Sequence, residues 1–166
     1  NYLGRNLGCA SKVFLHNVLK SFNALLKSEY GTKLTIRVGS KIEILKEIPV
    51  SIERKAVLQP LVDYIQNKVN LQEEIRLNFI CTHNSRRSHL SQIWAQTMAF
   101  HFNIKNVFCY SGGTEATAMF PKVAETLTNQ GFEIQKISDT SNPVYAVKFD
   151  ENQHPIICFS KTYFDD

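Results

Sequence analysis

The strongest constraint on the fold of this chain is an alternation of short apolar segments with helical segments between residues 77 and 130. An apolar run at 77–80 predicts a buried strand, and a 3.6-residue period over 88–100 predicts a helix after it. A second strand is predicted at 107–110, and a second helix at 121–130. Because strands that alternate with helices usually lie parallel, the pattern predicts an α/β domain whose parallel sheet is covered by helices.

The sequence before this unit carries three weaker patterns. Apolar residues at helical spacing predict an amphipathic helix over 11–29, and the same period returns in a helix over 51–70 that Ser51 can cap. Between them, apolar and polar residues alternate on both sides of Gly39. This alternation predicts a hairpin over 33–45.

Two further strands are predicted near the end of the sequence, at 144–149 and 155–160. They either form a hairpin or belong to different parts of the sheet. We therefore divide the chain into an N-terminal extension, residues 1–70, and an α/β domain, residues 71–166.

Composition limits the class of protein. A chain of 166 residues that is 43% apolar can bury one core, and a formal charge of +4 is too small to indicate nucleic-acid binding. Since no apolar run approaches the length of a bilayer span, we expect no membrane partner. A free thiolate is useful at Cys81 and no signal peptide is recognisable, so we expect a protein of the reducing cytoplasm. The cysteines form no Cys-x-x-Cys pair, and neither a zinc site nor a thioredoxin motif is indicated; they are Cys9, Cys81, Cys109 and Cys158.

The polar loop between the first strand and its helix is the candidate site. A cysteine at the carboxyl end of a parallel strand lies where an open α/β sheet presents its binding crevice. The amides of such a loop and the start of the helix can bind a tetrahedral oxyanion and stabilise a Cys81 thiolate. The expected oxyanion-binding residues are Thr82, His83, Asn84, Ser85, Arg86 and Arg87.

Three side chains of this loop have individual roles. The planar fork of Arg87 can hold two oxygens of a phosphate or arsenate, and Ser88 can donate its hydroxyl to the Cys81 sulfur. Asn84 can hold the loop in shape, because asparagine tolerates left-handed backbone. The alternative, a buried apolar cysteine followed by a solvated arginine, is less favoured because a core cysteine rarely introduces so polar a run. Cys109 and the histidines at 16, 89, 101 and 154 are interpreted as ordinary structural residues.

The run Cys81-Thr82-His83-Asn84-Ser85-Arg86-Arg87-Ser88 resembles the signature of low-molecular-weight protein tyrosine phosphatases and the related thioredoxin-coupled arsenate reductases. The likeness covers residues 77 to about 135 and includes the Ser-Gly-Gly turn at 111–113 and the Phe-Pro-Lys start of the next helix. It implies a three-layer, flavodoxin-like fold and a bacterial branch of the family with a helical N-terminal extension.

The same resemblance implies the chemistry. Cys81 would attack phosphorus or arsenic in line, and Arg87 and the loop amides would stabilise the oxyanion without a metal or organic cofactor. In the phosphatases, an aspartate of an Asp-Pro loop protonates the leaving group. Here the sequence reaches only Asp165 and Asp166 without a following proline. Either one of them serves as the acid or, as we prefer, the acid is missing from an incomplete C-terminal part of the domain.

The resemblance leaves three functions open. The leading one is a phosphatase-like hydrolase of phosphotyrosine or small phosphomonoesters. The second is an arsenate reductase, in which Cys158 is a candidate resolving thiol that needs an external thiol or a thiol-redox protein as partner. The third is a catalytically weak module that binds phosphate, sulfate or arsenate.

Overall fold

The structure, a computed structural model, describes residues 36–165. The amphipathic helix predicted over 11–29 and the residue Asp166 lie outside the described part. The helices are α1 (Ile36–Lys46), α2 (Ile52–Asn70), α3 (Arg87–His101) and α4 (Pro121–Gln130). The strands are β1 (Ile75–Cys81), β2 (Val107–Gly113), β3 (Glu133–Lys136), β4 (Tyr145–Lys148) and β5 (Ile156–Cys158).

The predicted strand–loop–helix–strand–helix unit is confirmed. β1 and β2 pair in parallel, from Ile75 opposite Val107 to Cys81 opposite Gly113. α3 connects them and packs on this two-stranded sheet. Helix α4 begins with a proline and ends at Gly131, whose φ of 104° closes the helix in the left-handed conformation that glycine adopts without strain. The described residues are therefore a mixed α/β structure.

A single parallel sheet was expected, and in this respect the structure differs. β3, β4 and β5 form a separate antiparallel sheet in that order, with Tyr145 opposite both Lys136 and Cys158. The two predicted C-terminal strands thus pair with each other, and the short β3 was not predicted. A parallel bridge between Gly113 and Thr162 brings the segment after β5 beside the end of β2.

The hairpin predicted over 33–45 is wrong, because residues 36–46 form α1. The segment fits both periods, but the side chains it buries are Val38, Ile42 and Leu45, which recur at helical spacing. Gly39, read as a turn residue, lies inside the helix. Residues 33–35 lie outside the described part of the chain.

The predicted helix over 51–70 is confirmed as α2. Ser51 caps it, since its hydroxyl accepts the backbone N–H of Arg54 at 3.2 Å. Pro60 lies within an unbroken helix. Although α1 and α2 fall in the predicted extension, Val38 and Ile65 join the same core as Trp94 of α3. The domain boundary at residue 70 stays a prediction.

That core lies between the helices and both sheets. Trp94 packs edge-on against Phe132 with ring centroids 5.1 Å apart, and Phe100 packs in the same way against Phe149. These contacts join α3 to the antiparallel sheet. Among residues 36–165, no helix is both long and apolar enough to cross a membrane.

Candidate functional site

The predicted loop lies at the carboxyl end of β1. Cys81 is the last residue of that strand, and α3 begins six residues later at Arg87. The first turn of α3 therefore presents its unpaired N–H groups and positive dipole end to the loop. Asn84 is fully buried and has a φ of 40°, so the loop turns through the left-handed conformation predicted for this residue.

A chain of hydrogen bonds runs from the segment after β5 to the Cys81 sulfur. The backbone N–H of Lys161 donates to Asn84 Oδ1 at 2.9 Å, which fixes the orientation of the amide. Asn84 Nδ2 then donates to Ser88 Oγ at 2.7 Å. Because Ser88 Oγ accepts this bond, its own proton is free to point at Cys81 Sγ, 3.1 Å away. Ser88 and Asn84 thus lie in one hydrogen-bonded chain that ends at Cys81, and their chemical roles stay predictions.

The thiol of Cys81 is tuned toward the thiolate. Partial burial raises its pKa, but the Ser88 hydroxyl and the backbone N–H groups of Ser88, Ser85 and Asn84 together outweigh burial. The pKa of Cys81 therefore lies below the usual value of a cysteine. A thiolate held among amide donors is the form of cysteine that acts as a nucleophile.

The outer side of the loop is tied to the segment after β2. Thr114 N–H donates to the Cys81 carbonyl at 3.1 Å, and Glu115 N–H donates to the Thr82 carbonyl at 2.8 Å. Gly113 lets these segments approach, since a Cβ there would lie 2.6 Å from the Asn84 nitrogen and 2.8 Å from the Thr82 oxygen. The loop is consequently held from both neighbouring segments.

The two arginines of the loop are in different situations. Arg86 stacks its guanidinium 4.0 Å above the centre of the Phe120 ring. Arg87 is exposed, and within residues 36–165 its guanidinium has no hydrogen bond or ion pair with another side chain. The donors of Arg87 are thus available to an anion, whereas Arg86 is partly occupied by an aromatic partner.

The side chain of His83, one of the expected oxyanion-binding residues, pairs with an acidic group. Its Nδ1 lies 3.1 Å from Glu115 Oε2, and both side chains are exposed. The carboxylate offsets the charge of the imidazole whenever that ring is protonated. The backbone carbonyl of His83 accepts two hydroxyls, Ser160 Oγ at 2.9 Å and Thr117 Oγ1 at 3.1 Å.

A buried pair supports the loop from beneath. His89 is fully buried on α3, and its Nδ1 lies 3.3 Å from Ser111 Oγ on β2. Burial and then the positive charge of Lys161 lower the pKa of His89 to about 4, while the backbone of Asn84 acts in the opposite direction. His89 is therefore a neutral interior residue near pH 7, as interpreted from the sequence, but it lies directly under the site.

Two of the candidate partners of Cys81 lie within the described residues, and both make other contacts. Asp165 is exposed and accepts the Thr162 N–H at 2.7 Å, and this bond lowers the pKa of its carboxyl. Cys158 is fully buried, its thiol directed to the Ile156 carbonyl at 3.9 Å, and burial raises its pKa to about 12. Burial likewise raises the pKa of Cys109 to about 12.

Several residues of the site were not found from the sequence. Ser160 and Lys161 hold the loop from the segment after β5, while Glu115 and Thr117 hold it from the segment after β2. The adjacent glycines before Glu115 were a usable signal, because they mark a close approach of backbones. No group of three or more His, Cys, Asp or Glu side chains in the described part of the chain is arranged to hold a metal ion.

Comparisons with protein-family models, with curated proteins and with solved structures find no match to this chain. The function is therefore argued from the site itself.

Proposed function

We propose that this protein hydrolyses phosphomonoesters, phosphotyrosine among them, through a cysteinyl-phosphate intermediate on Cys81. The observation that carries the proposal is the pairing of a Cys81 thiol of lowered pKa with the Ser88 hydroxyl and the loop amides at the start of α3. A nucleophile and an anion-binding cradle in one loop are what in-line displacement at phosphorus requires.

The reaction divides into two displacements. The thiolate attacks phosphorus, an S–P bond forms, and the P–O bond to the leaving group breaks while the loop amides and Arg87 hold the equatorial oxygens. A water molecule then attacks phosphorus, the S–P bond breaks, and phosphate leaves. Ser88 stabilises the thiolate that departs in this second step, since its hydroxyl points at the sulfur.

The leaving group needs a proton in the first displacement. Asp165 is poorly suited to donate it in this arrangement, because its bond to the Thr162 N–H stabilises the ionised carboxylate. The assignment of Asp165 or Asp166 as the acid stays a prediction. We include in the proposal the flavodoxin-like fold, which the parallel β1–β2 pair and the parallel bridge at Thr162 support.

The alternative, an arsenate reductase, uses the same loop but needs a second thiol. Cys158 would have to attack the Cys81–arsenic adduct as a thiolate, yet it is fully buried and its pKa is raised to about 12. This geometry favours hydrolysis over reduction.

Two assays test the proposal. The wild type is expected to hydrolyse para-nitrophenyl phosphate and a phosphotyrosine peptide, and Cys81→Ser to lose both activities. Cys158→Ala is the matched control that leaves hydrolysis intact. Arsenate-dependent consumption of thiol that disappears in Cys158→Ala would point to the reductase, while phosphate binding without turnover would point to a binding module.

A further inference from the structure

Two residues far from the loop in sequence hold it in place. Asn142 and Ser160 form a reciprocal pair, in which Asn142 Nδ2 donates to the Ser160 carbonyl at 2.7 Å and the Ser160 N–H donates to Asn142 Oδ1 at 3.0 Å. Asn142 lies just before β4 and Ser160 just after β5. The pair therefore closes the open end of the antiparallel β4–β5 unit.

This pair is in direct contact with the candidate loop. Ser160 is 2% exposed, and its hydroxyl donates to the His83 carbonyl while accepting the Thr117 N–H at 2.8 Å. The next residue, Lys161, supplies the N–H that orients the Asn84 amide. One short segment thus fixes two consecutive residues of the loop, and through Asn84 it fixes the Ser88 hydroxyl that points at Cys81.

We propose that Asn142 and Ser160 are positioning residues that set the reactivity of Cys81, acting together as a clamp between the antiparallel sheet and the oxyanion loop. The proposal rests on the proposed function, because it concerns the same nucleophile. Displacing Ser160 moves the Lys161 N–H, lets the Asn84 amide rotate, and removes the alignment by which Ser88 donates to the sulfur. Within the described residues, neither Asn142 nor Ser160 has a hydrogen bond to the Cys81 sulfur.

The test measures the thiolate directly. Alkylation of Cys81 by iodoacetamide is followed across pH by mass spectrometry of the Cys81 peptide, in the wild type, Asn142→Ala and Ser160→Ala. We expect both variants to react about 3- to 10-fold more slowly below the wild-type pKa and to match the wild type at alkaline pH, because a misaligned Ser88 hydroxyl no longer stabilises the thiolate and the pKa of Cys81 rises.

The matched control is Ser138→Ala. Like Asn142, Ser138 lies in the segment between β3 and β4, but its hydroxyl accepts the Val144 N–H, at 3.0 Å, and does not bond to the loop. Thr117→Val is a comparison variant at an exposed position. It removes the other hydroxyl that donates to the His83 carbonyl and leaves Asn142 and Ser160 unchanged. Neither these changes nor the clamp variants alter the charged and titratable groups around the loop, which are His83, Arg86, Arg87, His89, Glu115, Lys161 and Asp165.

Alkylation does not require turnover, so the clamp and the proposed function can fail separately. If the clamp variants shift the alkylation profile while para-nitrophenyl phosphate is untouched by every form, the clamp stands and the phosphatase assignment does not. Profiles of Asn142→Ala and Ser160→Ala that superimpose on the wild type, or an equal shift in Ser138→Ala, overturn the clamp.

Discussion

Removal of the Ser88 hydroxyl tests how the loop activates its cysteine. Ser88→Ala leaves the backbone amides in place and deletes only the side-chain donor, 3.1 Å from Cys81 Sγ. It also leaves the buried Asn84 Nδ2 without the acceptor it now has at 2.7 Å. The substitution should therefore change both the acidity of the cysteine and the stability of the fold.

The size of the effect on the acidity of Cys81 follows from the loss of one hydrogen bond. Four groups lower the pKa of Cys81, and the Ser88 hydroxyl is the largest of them. A hydrogen bond to a charged group contributes about 1.5–3 kcal/mol, and about 1.4 kcal/mol corresponds to a tenfold change in the thiolate fraction. Since sulfur is a weak acceptor, we expect the pKa of Cys81 to rise and alkylation to be about tenfold slower below the wild-type pKa.

The second effect is on folding. A buried donor left without its partner costs about 1–3 kcal/mol, and urea unfolding should report a loss of stability of that size in Ser88→Ala. The control is Ser91→Ala, which removes a hydroxyl from the same helix that makes no hydrogen bond to the loop within residues 36–165. An alkylation profile of Ser88→Ala that coincides with the wild type would refute the assigned hydrogen-bond direction.

Three further predictions concern the surroundings of the loop. Burial lowers the pKa of His89 to about 4, so between pH 4 and about 6.5 the unfolded chain binds more protons than the folded protein. The free energy of unfolding, measured in urea, should therefore rise with pH across this window by up to about 3 kcal/mol, and His89→Asn should flatten the rise. Gly113→Ala should weaken phosphate binding in calorimetry about tenfold or more, because the added Cβ meets backbone atoms of Asn84 and Thr82; unchanged affinity would mean that the loop is not held there. Arg87→Ala should weaken phosphate binding about tenfold or more at unchanged thermal stability. Arg86→Ala should lower the stability of the fold by about 0.5–1 kcal/mol, because it loses the contact with the Phe120 ring. The reverse pattern would exchange the roles of the two arginines.

The sequence was sufficient to predict the parallel β1–α3–β2 unit and the loop within it. Local periodicity, a capping serine and a terminating glycine act over a few residues, and they hold in the structure. The segment of α1 was misassigned because Val38 and Ile42 fit a strand period and a helix period equally well. Only packing into the shared core decides between the two periods.

The remaining parts depend on contacts between distant residues. The bond from Ser160 to His83, which lie 77 residues apart, leaves no local pattern in the sequence, and neither does the pairing of the short β3 with β4. The placement of Ser88 and Asn84 at the site could be predicted because both residues belong to the same short run as Cys81. The residues that hold the loop from outside could not be predicted, because they come from other elements.

The central claim, that Cys81 is a nucleophile in an oxyanion loop, is tested most directly by trapping its covalent intermediate. Wild-type protein mixed with para-nitrophenyl phosphate and quenched in acid should carry a phosphoryl group on the Cys81 peptide by mass spectrometry. Cys81→Ser should neither release the product para-nitrophenol nor form the phosphorylated peptide. Undiminished product release by Cys81→Ser, or a phosphoryl group on another residue of the wild type, would contradict the account.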